Sequence, residues 1–222
     1  FAMELLVCQN RKLAGETVSP EQDIDPKGRN VLVIGGGDTG SDCVGTSLRN
    51  GAKSVTQIEI MPKPPEERDE STPWPQWPLK LRTSSSHKEG GWRLWQTSAT
   101  TFVDDGDGHV VAADCVEVEV TFDQGRPSFA PKAGTEFRIE ADLVFLAMGF
   151  TGPAPNPMFD DLGIEKGPRG GITVDALHMT NVPGIFAVGD MSRGQSLVVR
   201  AMADGRDAAI HVDEWLKAQP QE

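Results

Sequence analysis

Residues 30–40 read NVLVIGGGDTG, an apolar, β-branched run that opens without a gap into glycines spaced G-x-G-x-x-G at Gly35, Gly37 and Gly40. Such a run suits a strand buried on both faces, as parallel sheets require. Behind the glycines, Cys43, Val44 and Leu48 recur at helical spacing up to Asn50-Gly51, a pair suited to ending a helix. The glycine pattern by itself is weak in a chain with 24 glycines, and its place between a strand and a helix gives it meaning. Absent Cβ atoms let the backbone approach a diphosphate closely, while the free N–H groups of a helix start face the anion. The residues placed to do this are Gly35, Gly36, Gly37, Asp38, Thr39 and Gly40. Asp38 and Thr39 serve equally as helix caps, and a tight turn that binds nothing is the alternative.

Working outward, a second strand over Ser54–Ile60 ends on Ile58, Glu59, Ile60 and Met61, where a ribose 2′-hydroxyl is told from a 2′-phosphate. No Arg stands there and Glu59 repels a phosphate, which favours NADH over NADPH. Lys63 or Arg68 folding back reverses that preference, and Glu59 as a solvated strand residue is the alternative. Residues 61–91 hold Pro62, Pro64, Pro65, Pro73, Pro75 and Pro78 with Trp74 and Trp77, without periodicity. A stretch of that length inside a domain is either functional or ordered by a partner. Trp92–Phe102, Val110–Phe122 and Glu136–Ile139 read as antiparallel strands, with turns at Asp104–Gly108 and Gln124-Gly125. Asp142–Met148 reads as another buried parallel strand, closed by Gly149.

The fold class is therefore α/β, with a Rossmann-like dinucleotide-binding domain over residues 28–149 that combines a parallel sheet and an antiparallel meander. At the amino end, residues 1–14 place Phe1, Leu5 and Leu6 on one helical face, and a polar connector follows to Arg29. At the other end, Gly171–Val174 and Gly184–Val188 are strand candidates. The closing helix, Ser196–Lys217, sets Leu197, Ala201, Ala208, Val212 and Trp215 on its apolar side and Arg200, Asp204, Arg206 and Glu214 toward water.

Composition narrows the function. Thirty-three acidic against 21 basic residues give a charge of -12, which repels nucleic acids and anionic membrane surfaces. The longest apolar run, residues 143–150, is far short of the ~20 residues of a membrane span. Cys8, Cys43 and Cys115 lie far apart without ligand spacing, so no metal is expected, and buried thiols in a reducing, cytoplasmic compartment are. His87, His109, His178 and His211 form no pair at ligand or triad spacing and are assigned surface or core roles. The chain opens on Phe1 without a basic or cleavable apolar segment and is read as beginning inside a longer protein.

ADLVFLAMGF at 141–150 and VPGIFAVGD at 182–190 resemble the flavoproteins that carry two dinucleotide domains. With GGGDTGSDC at 35–43, IMPKPPEER at 60–68, PWPQWP at 73–78 and RGQSLVVRAMADGRDAA at 193–209, essentially the whole chain resembles the small (beta) subunits of glutamate synthases. The resemblance implies that NAD(P)H reduces FAD, and that electrons then pass through iron-sulfur clusters to FMN on a large (alpha) subunit. There glutamine and 2-oxoglutarate become glutamate. It places Gly35 to Gly40, Glu59 and the strand-closing Gly149 with the nicotinamide dinucleotide. Gly189, Asp190, Gln195, Ser196 and Leu197 are implied at FAD, with Asp190 on the ribityl hydroxyls or simply in a turn. Residues 1–27 and 150–222 are assigned to the FAD-binding domain, the latter as its C-terminal part. The cluster-binding cysteines and first flavin glycine motif of such proteins lie upstream of Phe1, so the FAD site is incomplete within this chain. The PWPQWP loop is either a patch for the large subunit or packing for its own domain. Hydride passes directly between the two rings, so no catalytic residue is named. A related reductase with another acceptor, and a non-catalytic nucleotide-binding module, are the alternatives.

Overall fold

The computed structural model describes residues 1–168 and 170–220, which fall into two units, Phe1–Met148 and Gly149–Glu222. The first unit contains helix α1 (Ala2–Leu13), strand β1 (Asn30–Ile34), α2 (Asp38–Arg49), β2 (Ser54–Glu59), α3 (Ser85–Lys88) and β3 (Trp92–Trp95). It continues through β4 (Thr97–Asp104), β5 (Val110–Asp123), β6 (Arg126–Pro131), β7 (Phe137–Glu140) and β8 (Leu143–Leu146). The second unit holds α4 (Pro157–Asp161), α5 (Asp190–Arg193) and α6 (Val198–Ala218).

Strand β1 lies inside a parallel sheet ordered β3-β2-β1-β8, with Val31 opposite both Val55 and Leu143. Because successive side chains turn to opposite faces, Val31 and Val33 pack with Ala2, Leu5, Cys43, Val44 and Phe145 on one side. Leu32 packs with Ile58, Ala113, Cys115 and Ala141 on the other. Each Val, Leu, Ile or Phe among them stabilises the fold by about 1.5–3 kcal/mol through burial. This two-sided burial explains the unbroken apolar run. Helix α2 stops where Asn50 caps it and Gly51, at φ +80°, takes the left-handed conformation.

The second layer is a sheet of β4-β5-β6, with β7 also paired to β5. The mixed parallel and antiparallel architecture expected of the sequence is thus the one formed. The amino-terminal half of β5 pairs with β4 and β7, and its far half pairs only with β6, making a two-stranded arm. The arm turns at Gln124 and Gly125, both at positive φ (47° and 79°), the twist that two-residue hairpins favour. All six residues of β6, RPSFAP, are exposed.

Four sequence expectations differ from the structure. Residues 92–102 form no single strand: β3 adds in parallel to β2, and Gln96, at φ 51°, redirects the chain into antiparallel β4. Helix α1 buries Ala2, Leu5 and Cys8 rather than Phe1, which is 76% exposed. Its Ala2 and Leu5 enter the β1 core, so α1 packs within the first unit. In the second unit the strand candidates at 171–174 and 184–188 reduce to isolated bridges, Lys166 with Ile172 and Met179 with Phe186, around a small core of Phe159, Ile164 and Ile172. Finally, Asp204 does not face water. It is buried on α6 and takes a two-pronged ion pair from Arg193, at 2.6 and 3.0 Å.

Candidate functional site

The glycines between β1 and α2 are required by different neighbours. Gly35 sits at φ +123°, and a Cβ there would meet the Ala147 carbonyl oxygen at 2.2 Å. At Gly40 a Cβ would stand 2.2 Å from the Gly35 carbonyl oxygen and 2.7 Å from Gln57 Nε2, so α2 can seat on the turn only without a side chain. Gly36 donates its N–H to Glu59 Oε2 at 2.6 Å, and a Cβ would strike that same oxygen. Gly37 is unlike the others: it caps α2 with no side chain over the helix end, and its missing Cβ faces open space. Asp38 and Thr39 lie inside the first helical turn, so neither acts as the cap. The uncapped end combines free N–H groups with the positive pole of the helix.

Beside this turn lies a cleft of about 250 Å³. Gly36, Gly37, Asp38, Ser41 and Glu59 form one wall; the long loop forms the other, through Met61, Pro62, Pro64, Lys80, Leu81, Arg82, Ser84 and His87, with Arg93 and Trp95 from β3. Both oxygens of Glu59 are engaged, Oε1 accepting from Met61 N–H at 2.9 Å. Arg82 stacks on Trp77 at 3.9 Å and Arg93 on Trp95 at 4.9 Å. Burial lowers the pKa of Arg93, although a guanidinium keeps its charge throughout the physiological range. Lys63 and Arg68, the two cations the sequence offered for this place, do not line the cleft, although the Lys63 ammonium stands 5.6 Å from the ring of Trp95, which does. Lys63 pairs with Glu66, and Arg68 donates to the Thr72 and Gln76 carbonyls, bracing the loop.

In the second unit a cavity of about 590 Å³ is lined by Phe150, Thr151, Gly152, Asp190, Arg193 and Gln195, among others. Gly189, at φ +59°, starts the turn, and a Cβ there would press on Ala201 at 3.1 Å. Asp190 Oδ1 accepts the Ser196 N–H at 3.1 Å, and Leu197 caps α6 without a covering side chain. Ser196 Oγ is buried without a partner. Gly149, at φ +94°, has open space where its Cβ would be.

The family model for pyridine nucleotide-disulphide oxidoreductases matches residues 6–205. The chain belongs to that family. It is 48% identical over 97% of its length to a Mycobacterium tuberculosis protein named glutamate synthase (NADPH) small chain, covering 44% of that relative. It is 39% identical over 96% of its length to the glutamate synthase (NADH) of Schizosaccharomyces pombe, covering 10% of it. Among solved structures it is similar to T. acidophilum thioredoxin reductase, with 26% identity and a TM-score of 0.56 over 86% of this chain and 53% of that one. The chain thus spans less than half of the curated glutamate synthase relatives named here.

In this chain the structure adds Lys80, Arg82, His87 and Arg93 to the first cleft, residues that sequence reasoning missed. Their signal is the cluster LKLR at 79–82, followed closely by a histidine, at the far end of a Pro-rich loop. The thiols play no part in either cleft. Burial raises Cys43 to about 12 and Cys115 to about 11, which keeps both as inert thiols. Among the described residues, no group of three His, Cys, Asp or Glu is placed to hold a metal ion, and no helix is long and apolar enough to cross a membrane.

Proposed function

We propose that this chain takes a nicotinamide dinucleotide at Gly35–Gly40 and presents it to a flavin held in part by the second unit, as the electron-input section of a glutamate synthase. One observation carries the reading. Among the four glycines of the turn, Gly35, Gly36 and Gly40 are locked against protein atoms, while Gly37 and the uncapped start of α2 open onto a cleft. A diphosphate fits there, since it needs bare backbone and unpaired N–H groups. Asp38, Thr39 and Gly40 would offer those groups, Glu59 would meet the ribose, and Gly149 marks the exit of the nucleotide domain. On the flavin side, Gly189 gives Asp190 its approach, and Asp190, Gln195, Ser196 and Leu197 form the contact, the carboxylate accepting hydroxyls of the ribityl chain. Asp190 and Gln195 line the cavity of this unit, which supports a ligand at this place. When bound, the nicotinamide supplies a hydride to the flavin, and the chain's own residues supply orientation. In the whole protein, a large subunit would take the electrons on to glutamate formation, in keeping with the words small chain in a relative's name, and iron-sulfur clusters would lie on that path as part of the same proposal. A cytoplasmic setting accords with three buried free thiols.

Glu59, already oriented by Gly36 and Met61, favours the ribose diol of NADH. A second reading, NADPH, draws on Lys80, Arg82 and Arg93 in the same cleft. Titrating the intact protein with each nucleotide decides between them. NADH binding at least tenfold tighter than NADPH is expected, and the reverse order assigns the cations to a 2′-phosphate. Gly37→Val tests the site itself: binding of both nucleotides is lost while the fold is kept, and unchanged affinity would remove the turn from the site.

A further inference from the structure

A continuous line of hydrogen bonds runs from the glycine turn to the Pro- and Trp-rich loop. Gln57 Nε2, buried on β2, donates to the Gly35 carbonyl at 2.8 Å, which leaves Gln57 Oε1 against His87 Nε2 at 2.8 Å. An amide oxygen can only accept, so His87 Nε2 carries the hydrogen and Nδ1 of the neutral ring is an acceptor. Nδ1 faces the Ser84 hydroxyl at 3.0 Å and the Ser84 N–H at 3.4 Å. Ser84 Oγ in turn accepts from His87 N–H at 3.3 Å and lies 2.5 Å from Ser41 Oγ on α2. Ser84 and His87 thus form a reciprocal capping box for a helix of only four residues. That helix sits tightly on α2, since a Cβ at Gly45 would stand 2.5 Å from Ser86 Oγ.

Resting on the reading of Gly35–Gly40 as the nucleotide site, we propose that His87 is a positioning residue for the nucleotide. Its neutral Nε2–H form latches the loop wall that carries Lys80 and Arg82 against the glycine turn, and protonation opens the latch. A proton on Nδ1 sets two donors, Nδ1–H and Ser84 N–H, against each other, which removes that half of the capping box and forces the Ser84 hydroxyl to turn from donor to acceptor. The surroundings favour the neutral ring. Burial holds the His87 pKa below its usual value, and the Arg93 guanidinium on β3 lowers it further. The other groups packed against the ring, Gln57 of β2, Ser41 of α2 and Ser84, are uncharged. Asp38 of α2, Glu59 of β2, and Lys80 and Arg82 of the loop share the cleft. An imidazolium would by itself attract the phosphates of a nucleotide, so the latch and simple charge attraction predict opposite pH dependences.

The test is equilibrium binding of NADH and NADPH to the intact protein from about pH 8 to about pH 5.5, for the wild type, His87→Gln and Ser84→Ala, with imidazole ¹⁵N NMR on the wild type. The wild type is expected to lose about tenfold in affinity as the pH falls, the scale of one or two lost hydrogen bonds. His87→Gln, which does not titrate, should show a flat profile for NADH, whose diphosphate keeps its charge over this range, and Ser84→Ala weaker binding at pH 8 with a shallower slope. The NMR spectrum should show the Nε2–H form. Affinity that tightens in acid, parallel profiles for wild type and His87→Gln, or an Nδ1–H ring would overturn the latch. Absence of nucleotide binding by the wild type at pH 8 would overturn the site assignment, and the latch with it.

Discussion

The cleft beside the glycine turn and the cleft beside Asp190 are built on different terms. The one beside Gly35–Gly40 is framed by a sheet whose central strand has Val31, Leu32 and Val33 at or below 1% exposure, and its turn is fixed by backbone contacts near 2.2 Å from the absent Cβ positions. The one beside Asp190 is framed by loops and two isolated bridges, and α6 nearby leaves Val198, Val199, Met202, Ile210 and Leu216 exposed. The first cleft takes its shape from a core that closes on itself. The second has far less regular structure to hold it, so its geometry depends more on local hydrogen bonds such as Asp190 with Ser196.

The largest effect expected is therefore in the first cleft. Gly40→Val forces a branched side chain onto Gly35 and Gln57 and should cost about 3 kcal/mol or more. The paired change Gly37→Val should stay within about 1 kcal/mol of wild type, because its side chain meets no protein atom. Denaturant unfolding monitored by tryptophan fluorescence measures both, and equal destabilisation would erase the distinction between locked and open glycines. In the second unit, Asp204→Asn should lower the thermal midpoint at neutral pH by breaking the pair with Arg193. That guanidinium holds the Asp204 carboxyl below its usual pKa. The pair's contribution is present above the ordinary carboxylate pKa of about 4 and is lost as the pH falls through the lowered value. Wild type should therefore lose more stability in acid than Asp204→Asn, and identical acid limbs would mean the pair contributes nothing. The sealed character of the first unit's sheet core predicts a kinetic result: neither Cys43 nor Cys115 should react with a thiol reagent at pH 8 until the chain unfolds. Rapid labelling of Cys43 or Cys115 would show that this core opens. The smallest effect is expected at Trp74, 84% exposed in the loop, where Trp74→Ser should shift stability by about 0.5 kcal/mol or less.

What could be read from the residues follows the range of the interactions involved. The strand, glycine turn and α2 were legible because each is a local pattern with one buried outcome, down to the stop at Asn50-Gly51. The break at Gln96 was not, since β3 is defined by pairing with β2, more than 30 residues earlier in the chain. Asp204 looked like a solvated helix residue because its partner, Arg193, belongs to a different element. His87 was assigned a bland role because its neighbours Gln57 and Ser41 come from separate elements that only the fold brings together. The same holds for the basic side of the first cleft. Lys80 and Arg82 lie more than 20 residues beyond the end of β2, a distance that only the folding of a long loop removes.

The exposed arm of β5 and β6 also bears on how the protein behaves in concentrated solution. An open strand edge is a template on which a second chain can add a strand. Alternate residues of a strand turn their N–H groups to the same side, and Pro127 and Pro131 have none to offer. Phe129 is left as the donor between them on the outer edge of β6, so that edge offers a second strand little to pair with.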